Sequence, residues 1–319
     1  MLENSMIVGN AAKLTREEWL DKRRGYIGGS DASVCVGLNP YRSLAELYAD
    51  KKGLLPDREE NEAIRLGRDL EEYVAQRFCE ATGKKVRRDS NMYVIRDKPF
   101  IGADIDRRVI GENAILECKT TNNWGKNDFD GGEIPPIYYC QCLHYLEVTG
   151  AERCYLAVLI FGRGFYWFVI ERNEREQKAL IDAETFFWKE YIEKDKTPAP
   201  DGTDSAQIAV NALFGGNASA GTTISIFECA DAVKAYIALD EQIKALQKEQ
   251  DAYKQQLQVA LGENECGETD LYRVTWKTQQ RTTIDSKMVK ERHPEVYAEC
   301  SKTSTSRVFR ATNIKRKEV

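Results

Sequence analysis

Three residues near the middle of the chain have the types and the spacing of a metal-dependent hydrolytic site. Asp106 stands in a segment rich in β-branched residues, and Glu117 and Lys119 stand in the next such segment, AILECKTT. A Gly-Glu-Asn turn separates the two segments, so the pattern predicts two short strands joined by a turn. Because side chains alternate between the faces of a strand, Glu117 and Lys119 share one face and Cys118 takes the other. Pairing of the strands would bring Asp106 and Glu117 to one point.

Two converging carboxylates would form an all-oxygen site of the kind that Mg²⁺ or Mn²⁺ takes. Lys119 would lie at the edge of that ion, where it would hold or help to deprotonate an attacking water, or neutralise a phosphate oxygen. Asp104 is the alternative first ligand, since it shares a strand face with Asp106. Solvent-facing strand residues are the structural alternative, because Glu-x-Lys alone is a common pattern in a chain with 30% charged residues.

Composition excludes several classes of protein. No run of about 18 apolar residues occurs, so we predict no membrane span, and the N-terminus lacks the pattern of a secretory signal. The nine cysteines include no Cys-x-x-Cys, which predicts reduced thiols in a cytoplasmic protein and no iron–sulfur cluster. The net charge of −5 argues against a simple nucleic-acid coat. An enzyme that encloses DNA can nevertheless keep its basic groups inside a channel.

Several longer segments carry a resemblance to a known family. RRGYIGGSDASVCVGLNPYRS, GRDLEEYVAQRFCEATG, PFIGADIDRRV, LECKTT and PPIYYCQCLHYLEV follow one another in the chain. In that order they resemble the YqaJ family of phage-type recombination nucleases, relatives of the lambda-type alkaline exonuclease in the PD-(D/E)xK superfamily. The resemblance extends from Leu20 to Trp188. It implies an α+β fold with a mixed central sheet flanked by helices.

The resemblance also implies a fuller catalytic site. Its Gly-x-x-x-Glu element matches Gly67 to Glu71, which places Glu71 beside the metal, with Glu72 as the alternative inward-facing residue. The backbone carbonyl of Cys118 is a further ligand. The Gln-x-x-x-Tyr element matches Gln141 and Tyr145, which would position the substrate phosphate or the attacking water near Lys119.

Residues for binding DNA follow from the same resemblance. Arg23 and Ser30 are expected to meet the 5′-phosphate of a DNA end, with Arg24 as a competitor and Tyr138 on the face of Gln141. A role for Ser30 as a helix cap is the structural alternative. The basic tail is a further candidate for phosphate contacts, with a solvated tail as the alternative; its residues are Arg307, Arg310, Lys315, Arg316 and Lys317.

We divide the chain into a nuclease domain of residues 1–204, a Gly/Ala/Ser-rich linker of residues 205–223 and a C-terminal module of residues 224–319. The module would contain one long helix, a few strands and the basic tail. Residues spaced by three and four on this helix form a heptad seam, which would pack on a core, a second subunit or a partner protein. Its members are Tyr236, Leu239, Ile243, Leu246, Gln250, Tyr253 and Leu257.

The resemblance implies an Mg²⁺-dependent exonuclease, with Mn²⁺ as a substitute, that degrades linear double-stranded DNA from 5′ to 3′. The 3′ overhangs would serve a single-strand annealing protein in phage-type recombination, and the enzyme would be a homo-oligomer, as in the rings of its relatives. An endonuclease on the same core is one alternative. A DNA-end-binding scaffold that recruits a partner through its C-terminal helix is the other, although the intact Asp/Glu/Lys set counts against it.

Overall fold

The computed structural model describes residues 4–57, 61–122, 133–216, 221–302 and 307–312. The chain divides into two compact units, Met1–Gly216 and Asn217–Val319. Among the described helices, none has the length and apolar character needed to cross a membrane. Lys315, Arg316 and Lys317 of the predicted tail lie outside the described residues.

The first unit combines strands and helices along its whole length. Its strands are β1 (Ser5–Asn10), β2 (Val86–Arg88), β3 (Asn91–Ile95), β4 (Lys98–Asp104), β5 (Arg107–Val109), β6 (Ala114–Thr121), β7 (Arg153–Ile160) and β8 (Gly164–Glu171). Its helices are α1 (Arg16–Arg24), α2 (Gly29–Cys35), α3 (Leu44–Lys51), α4 (Glu62–Thr82), α5 (Pro136–Thr149), α6 (Glu174–Phe187) and α7 (Asp204–Phe214).

Five strands of the first unit form a mixed sheet in the order β2-β5-β6-β7-β8. Strands β6 and β7 are parallel, and the other neighbours are antiparallel. Alternation along β6 separates two cores: Ile115 joins the cluster that includes α5, and Leu116 joins the cluster of Val74 and Phe78 from α4. Helices therefore cover both faces of this sheet. The expected α+β class, a mixed sheet flanked by helices, is confirmed.

The two helices that cover the sheet have clear sequence signals at their ends. The Asn61 side chain accepts the backbone N–H of Ile64 at the start of α4, and Gly83 ends that helix at φ 70°. Helix α5 starts with Pro136 in its first turn and ends at Gly150, which has φ 66°. Both helices lie where the sequence predicts them, because these signals are local.

The predicted hairpin around Asp106 is wrong in one respect. Asp104 ends β4, which belongs to a separate three-stranded antiparallel sheet in the order β1-β3-β4, whereas β5 begins at Arg107 in the five-stranded sheet. Asp106 lies in the bend between these strands. Its backbone carbonyl accepts the N–H of Asp89 at 3.1 Å, and its carboxylate accepts the N–H of Cys118 at 2.8 Å. These bonds turn Asp106 towards β6 and separate it from Asp104.

The segment predicted as a linker differs from expectation over its first ten residues. Helix α7 begins after Thr203, whose hydroxyl accepts the N–H of Ala206 at 3.1 Å. Ala206 and Ala209 are buried. The hydroxyl of Ser205 accepts the backbone N–H of Ser43 at 2.7 Å. This buried face holds α7 in the first unit, so the linker interpretation is wrong for residues 205–214.

The second unit contains the predicted long helix, α8 (Ala230–Leu261). A two-stranded antiparallel sheet of β9 (Cys266–Glu268) and β10 (Arg273–Thr275) follows it. Two short helices complete the described elements, α9 (Ser286–Arg292) and α10 (Pro294–Cys300). Residues 307–311, which the sequence predicts as strand, form no strand.

Candidate active site

Glu117 is the centre of a buried polar cluster on the side of the sheet that faces α5. The ammonium of Lys119 lies 2.6 Å from its Oε1. The amide of Gln141 donates to the same oxygen at 2.7 Å, and lies 3.0 Å from the hydroxyl of Tyr145. Strand alternation presents Glu117 and Lys119 together, and the four-residue spacing on α5 does the same for Gln141 and Tyr145. The predicted catalytic residues of these two elements thus lie together.

Asp106 joins this cluster from the bend before β5. Its Oδ2 accepts the backbone N–H of Cys118, the residue after Glu117. Burial raises the pKa of the Asp106 carboxyl well above its ordinary value, and the charges of Glu117 and Glu71 raise it further, while the charge of Lys119 opposes them. A second positive charge in the cluster would therefore be favourable.

Glu71 and Glu72 have different surroundings. The side chain of Glu71 is 20% exposed, whereas that of Glu72 is 66% exposed. Both carboxylates meet the buried guanidinium of Arg107, at 2.5 Å and 2.9 Å. The charge of Glu71 is one of the causes that raise the pKa of Asp106. Of the two alternatives, Glu71 is the residue that faces the carboxylate cluster.

The donor set fits a hard divalent ion. Oε2 of Glu117 is buried and has no hydrogen-bond partner, although a buried carboxylate oxygen is normally satisfied. Within the described residues, no three His, Cys, Asp or Glu side chains are grouped closely enough to hold an ion by themselves. Mg²⁺ is commonly bound through one or two carboxylates together with water and substrate phosphates. Asp106 and Glu117 have the chemistry for that mode.

Arg23 and Ser30 lie together on a second part of the site. The guanidinium of Arg23 donates to the hydroxyl of Ser30 at 3.1 Å and lies over the ring of Trp19. Ser30 is exposed inside the first turn of α2, and Gly28 is the N-cap, so Ser30 is not the cap. Arg24 lies 2.8 Å from Asp21 and 2.5 Å from Asp57.

A pocket of about 230 Å³ opens beside these residues, and its wall includes Arg23, Arg24 and Ser30. The wall also contains carboxylates, and the best buried of them, Asp31, lies 2.7 Å from Lys51 and 2.8 Å from Arg42. The charge of Asp31 is thus compensated inside the protein.

Asp104, the alternative metal ligand, has partners on this side of the site. It accepts the hydroxyl of Tyr26 at 2.9 Å and lies 3.5 Å from Nε of Arg23. Asp104 therefore belongs to the surroundings of Arg23, and the alternative of Asp104 as first metal ligand is not supported by its position.

Glycine joins the two parts of the site. A Cβ at Gly29 would overlap the ring of Tyr145 and come within 3.0 Å of Gln141. The first turn of α2 consequently packs directly on the face of α5 that carries both residues, and Ser30 follows one position later. The polar cluster and the Arg23 pocket are neighbours.

The remaining predicted residues are peripheral. Tyr138 is half-buried, and its ring lies 5.7 Å from the ammonium of Lys119. Arg307 and Arg310 are exposed in the second unit.

Sequence reasoning missed Arg107 and Lys51. The position of Arg107 directly after Asp106 is the single local signal for it. Lys51 donates to the backbone carbonyls of Arg23 and Tyr26 at 3.0 and 2.6 Å, contacts that no local pattern announces.

Solved structures similar to this chain include two of the alkaline exonuclease LHK-Exo from Laribacter hongkongensis. One matches with a TM-score of 0.46 and the other, in complex with dAMP, with 0.48. Both are 21% identical and cover 56% of this chain, and 97% and 93% of their own. A phage-related exonuclease from Haemophilus somnus 129PT is 12% identical over 54% of this chain and 96% of its own, with a TM-score of 0.43.

Similarity in sequence is more extensive. Residues 18–152 match the model of the YqaJ-like viral recombinase domain. The uncharacterized protein YqaJ of Bacillus subtilis strain 168 is 34% identical over 306 residues, which are 95% of this chain and 96% of that protein. The matched domain contains Arg23, Glu117 and Tyr145, and the match to the Bacillus protein extends through both units. The chain belongs to the YqaJ family.

Proposed function

We propose that this protein is a divalent-metal-dependent deoxyribonuclease that degrades one strand of linear double-stranded DNA from its 5′ end. The observation that carries this proposal is the cluster of Asp106, Glu117 and Lys119 beside the pocket of Arg23 and Ser30. The first group has the chemistry for phosphodiester hydrolysis, and the second has the chemistry for a terminal phosphate. Membership of a family with a viral recombinase domain supports DNA ends as the substrate.

Asp106, Glu117 and the backbone carbonyl of Cys118 would hold the ion, with Glu71 nearby. Mg²⁺ there would stabilise the negative charge that develops on the phosphate and on the leaving oxygen. Lys119 would hold the attacking water or a phosphate oxygen.

Side chains of helix α5 support these groups. Gln141 would orient the Glu117 carboxylate through its bond to Oε1, and it is itself next to the Tyr145 hydroxyl. Tyr138 would line the approach to Lys119, since its ring lies 5.7 Å from that ammonium. This face of the helix would therefore position the substrate and the attacking water.

Arg23 is the better candidate for the terminal phosphate than Arg24. Two carboxylates already compensate Arg24, at 2.8 and 2.5 Å. Arg23 meets one carboxylate at the longer distance of 3.5 Å and is bonded to the exposed hydroxyl of Ser30. A phosphate that meets both groups would form charge-assisted hydrogen bonds, which are stronger than neutral ones. Recognition of the 5′-phosphate next to the carboxylates would direct hydrolysis to the end of the strand.

The experiment is digestion of three DNA substrates with Mg²⁺: linear with a 5′-phosphate, linear with a 5′-hydroxyl, and covalently closed circular. Separate labels at the 5′ and 3′ ends report the direction of digestion. Lys119→Ala is compared with Lys85→Ala, which changes an exposed lysine outside the site. The exonuclease predicts mononucleotides released from phosphorylated 5′ ends, spared circles, an inactive Lys119→Ala and an active Lys85→Ala.

Other outcomes would replace the proposal. Cut circles would assign an endonuclease on the same core. Tight binding of DNA ends without cleavage in Mg²⁺ or Mn²⁺ would assign a recombination scaffold. The 3′ overhang, its use by a single-strand annealing protein, a ring-shaped homo-oligomer and a cytoplasmic location remain predictions from family resemblance.

A further inference from the structure

Helix α8 carries a long apolar stripe that the described part of the second unit leaves largely uncovered. The helix has 32 residues, which corresponds to a length of about 48 Å. Six apolar residues of the stripe are between 47% and 65% exposed; they are Tyr236, Leu239, Ile243, Leu246, Tyr253 and Leu257. A helix draws most of its stability from burial of such a face, so a stripe of this length calls for an occupant.

The spacing of the stripe is that of a coiled coil. Successive members are three and four residues apart, which places Tyr236, Ile243 and Leu257 at a positions of a heptad and Leu239, Leu246 and Tyr253 at d positions. Ile243 at a followed by Leu246 at d is the combination that favours two parallel strands. Gln250 occupies the remaining a position, where a polar residue specifies register at some cost in stability.

Charges beside the stripe select an orientation. Glu249 stands at a g position and Lys254 at the following e position, five residues later. In a parallel, in-register pair, g of one helix meets the following e of the other, so Glu249 meets Lys254 on both sides. An antiparallel pair sets g against g and e against e, which separates these opposite charges. The charges are thus complementary to a second copy of the same helix in parallel orientation.

We propose that α8 forms a parallel two-stranded coiled coil with α8 of a second copy of this chain. This interface lies in the second unit and does not depend on the proposed nuclease activity. Leu261, at the end of the helix, is buried and would contact a Cβ at Gly267, so β9 covers that end inside one chain. At the other end the ring of Tyr236 lies 5.2 Å from Phe309. The interface therefore centres on residues 239–257.

The first test measures the mass of the full-length protein by light scattering across a range of concentrations. Leu246→Asp places a charge at a central d position, and Lys248→Asp, at an outward f position of the same helix, is the matched control. Leu246→Asp is expected to halve the mass, and Lys248→Asp to leave it unchanged. An unchanged mass for Leu246→Asp, a wild-type monomer at every concentration, or a threefold loss of mass would overturn the proposal.

The second test keeps the apolar stripe intact and reports orientation. Gln250→Cys places two thiols at facing a positions, so oxidation is expected to cross-link two chains, whereas Lys248→Cys is expected to cross-link no more than wild type. Glu249→Lys should raise the dissociation constant about three- to tenfold, and adding Lys254→Glu should restore it. A Gln250→Cys variant that forms no cross-link, or failure of the double reversal to restore the pair, would contradict a parallel arrangement.

Discussion

Nη1 of Arg107 lies 2.5 Å from Oε1 of Glu71, an ion pair that joins strand β5 to helix α4 beside the carboxylate cluster. The Arg107 side chain is 2% exposed, so its charge requires a compensating carboxylate inside the protein. Glu71 supplies that compensation from within, and Glu72 adds a partner from the exposed rim. The pair fixes which of two adjacent glutamates faces the site.

The two glutamates provide a matched pair of substitutions. Glu71→Gln is expected to lower the rate of DNA cleavage roughly 10- to 100-fold, the usual effect of removing a group that supports a metal site. Glu72→Gln is expected to leave the rate within about twofold, because an exposed ion pair contributes little. Initial rates at several Mg²⁺ concentrations measure both, with thermal melting as the check on folding. Equal losses in the two variants would show that Glu71 has no special place.

Local patterns were sufficient to predict part of this site. The two-residue spacing of Glu117 and Lys119 on a strand, and the four-residue spacing of Gln141 and Tyr145 on a helix, fix shared faces without knowledge of the rest of the chain. The ends of α4 and α5 were predictable for the same reason, since their capping residues act within one turn.

Tertiary contacts decided what the sequence could not. Asp104 and Asp106 fit one strand by pattern, but the bond from Asp89 and the bond from Cys118 place Asp106 in a bend. Lys51 reaches two carbonyls that lie in a separate element, far earlier in the chain. Helix α7 is a different case, because its N-cap threonine was an available signal that the small residues after it obscured.

Asp104 is predicted to hold Arg23 in position for a DNA end. It lies 3.5 Å from Nε of Arg23 and accepts the Tyr26 hydroxyl at 2.9 Å. Asp104→Asn removes the charge, so we expect the KM for 5′-phosphorylated DNA to rise roughly tenfold, about 1.4 kcal/mol. The KM for 5′-hydroxyl DNA should change little.

Asp21→Asn is the control for this experiment, because Asp21 pairs with the neighbouring Arg24. It should leave the preference for phosphorylated ends intact. A loss of kcat on both substrates in Asp104→Asn, without a change in preference, would argue that Asp104 serves the chemistry directly.

Gly67 is predicted to be dispensable for the fold. It lies inside α4, and a Cβ there would meet the nearest atom, Oγ1 of Thr120, at an ordinary 3.6 Å. Gly67→Ala should therefore stabilise the protein by about 1 kcal/mol through helix propensity, a rise in Tm of about 2–4 °C. Gly29→Ala is the contrasting variant, since its Cβ would overlap the Tyr145 ring, and it should lower Tm. A stabilised Gly67→Ala that has lost activity would indicate that DNA approaches the backbone at this glycine.

His144 is predicted to make stability depend on pH. It is fully buried, with Nδ1 2.8 Å from Oε1 of Glu184 and Nε2 2.7 Å from the carbonyl of Gly102. Both partners accept hydrogen bonds, so both ring nitrogens carry protons and the imidazole is charged. Burial alone would lower the pKa of His144, but the Glu184 carboxylate and the Gly102 carbonyl outweigh it and raise that pKa. Burial raises the pKa of Glu184, while the charge of His144 opposes that shift.

A raised pKa in the folded state fixes the sign of the effect. In the unfolded chain His144 would titrate near its ordinary pKa of about 6.5. Its contribution is therefore fully present below that pH and is lost as pH rises through the folded-state pKa, by up to about 1.4 kcal/mol per pH unit. Melting curves from pH 6 upwards should show Tm falling, and His144→Asn should flatten that dependence while lowering stability. His293→Asn, which changes an exposed histidine of the second unit, should leave it as in wild type. A Tm that rises with pH over this range would mean that His144 is neutral in the folded protein.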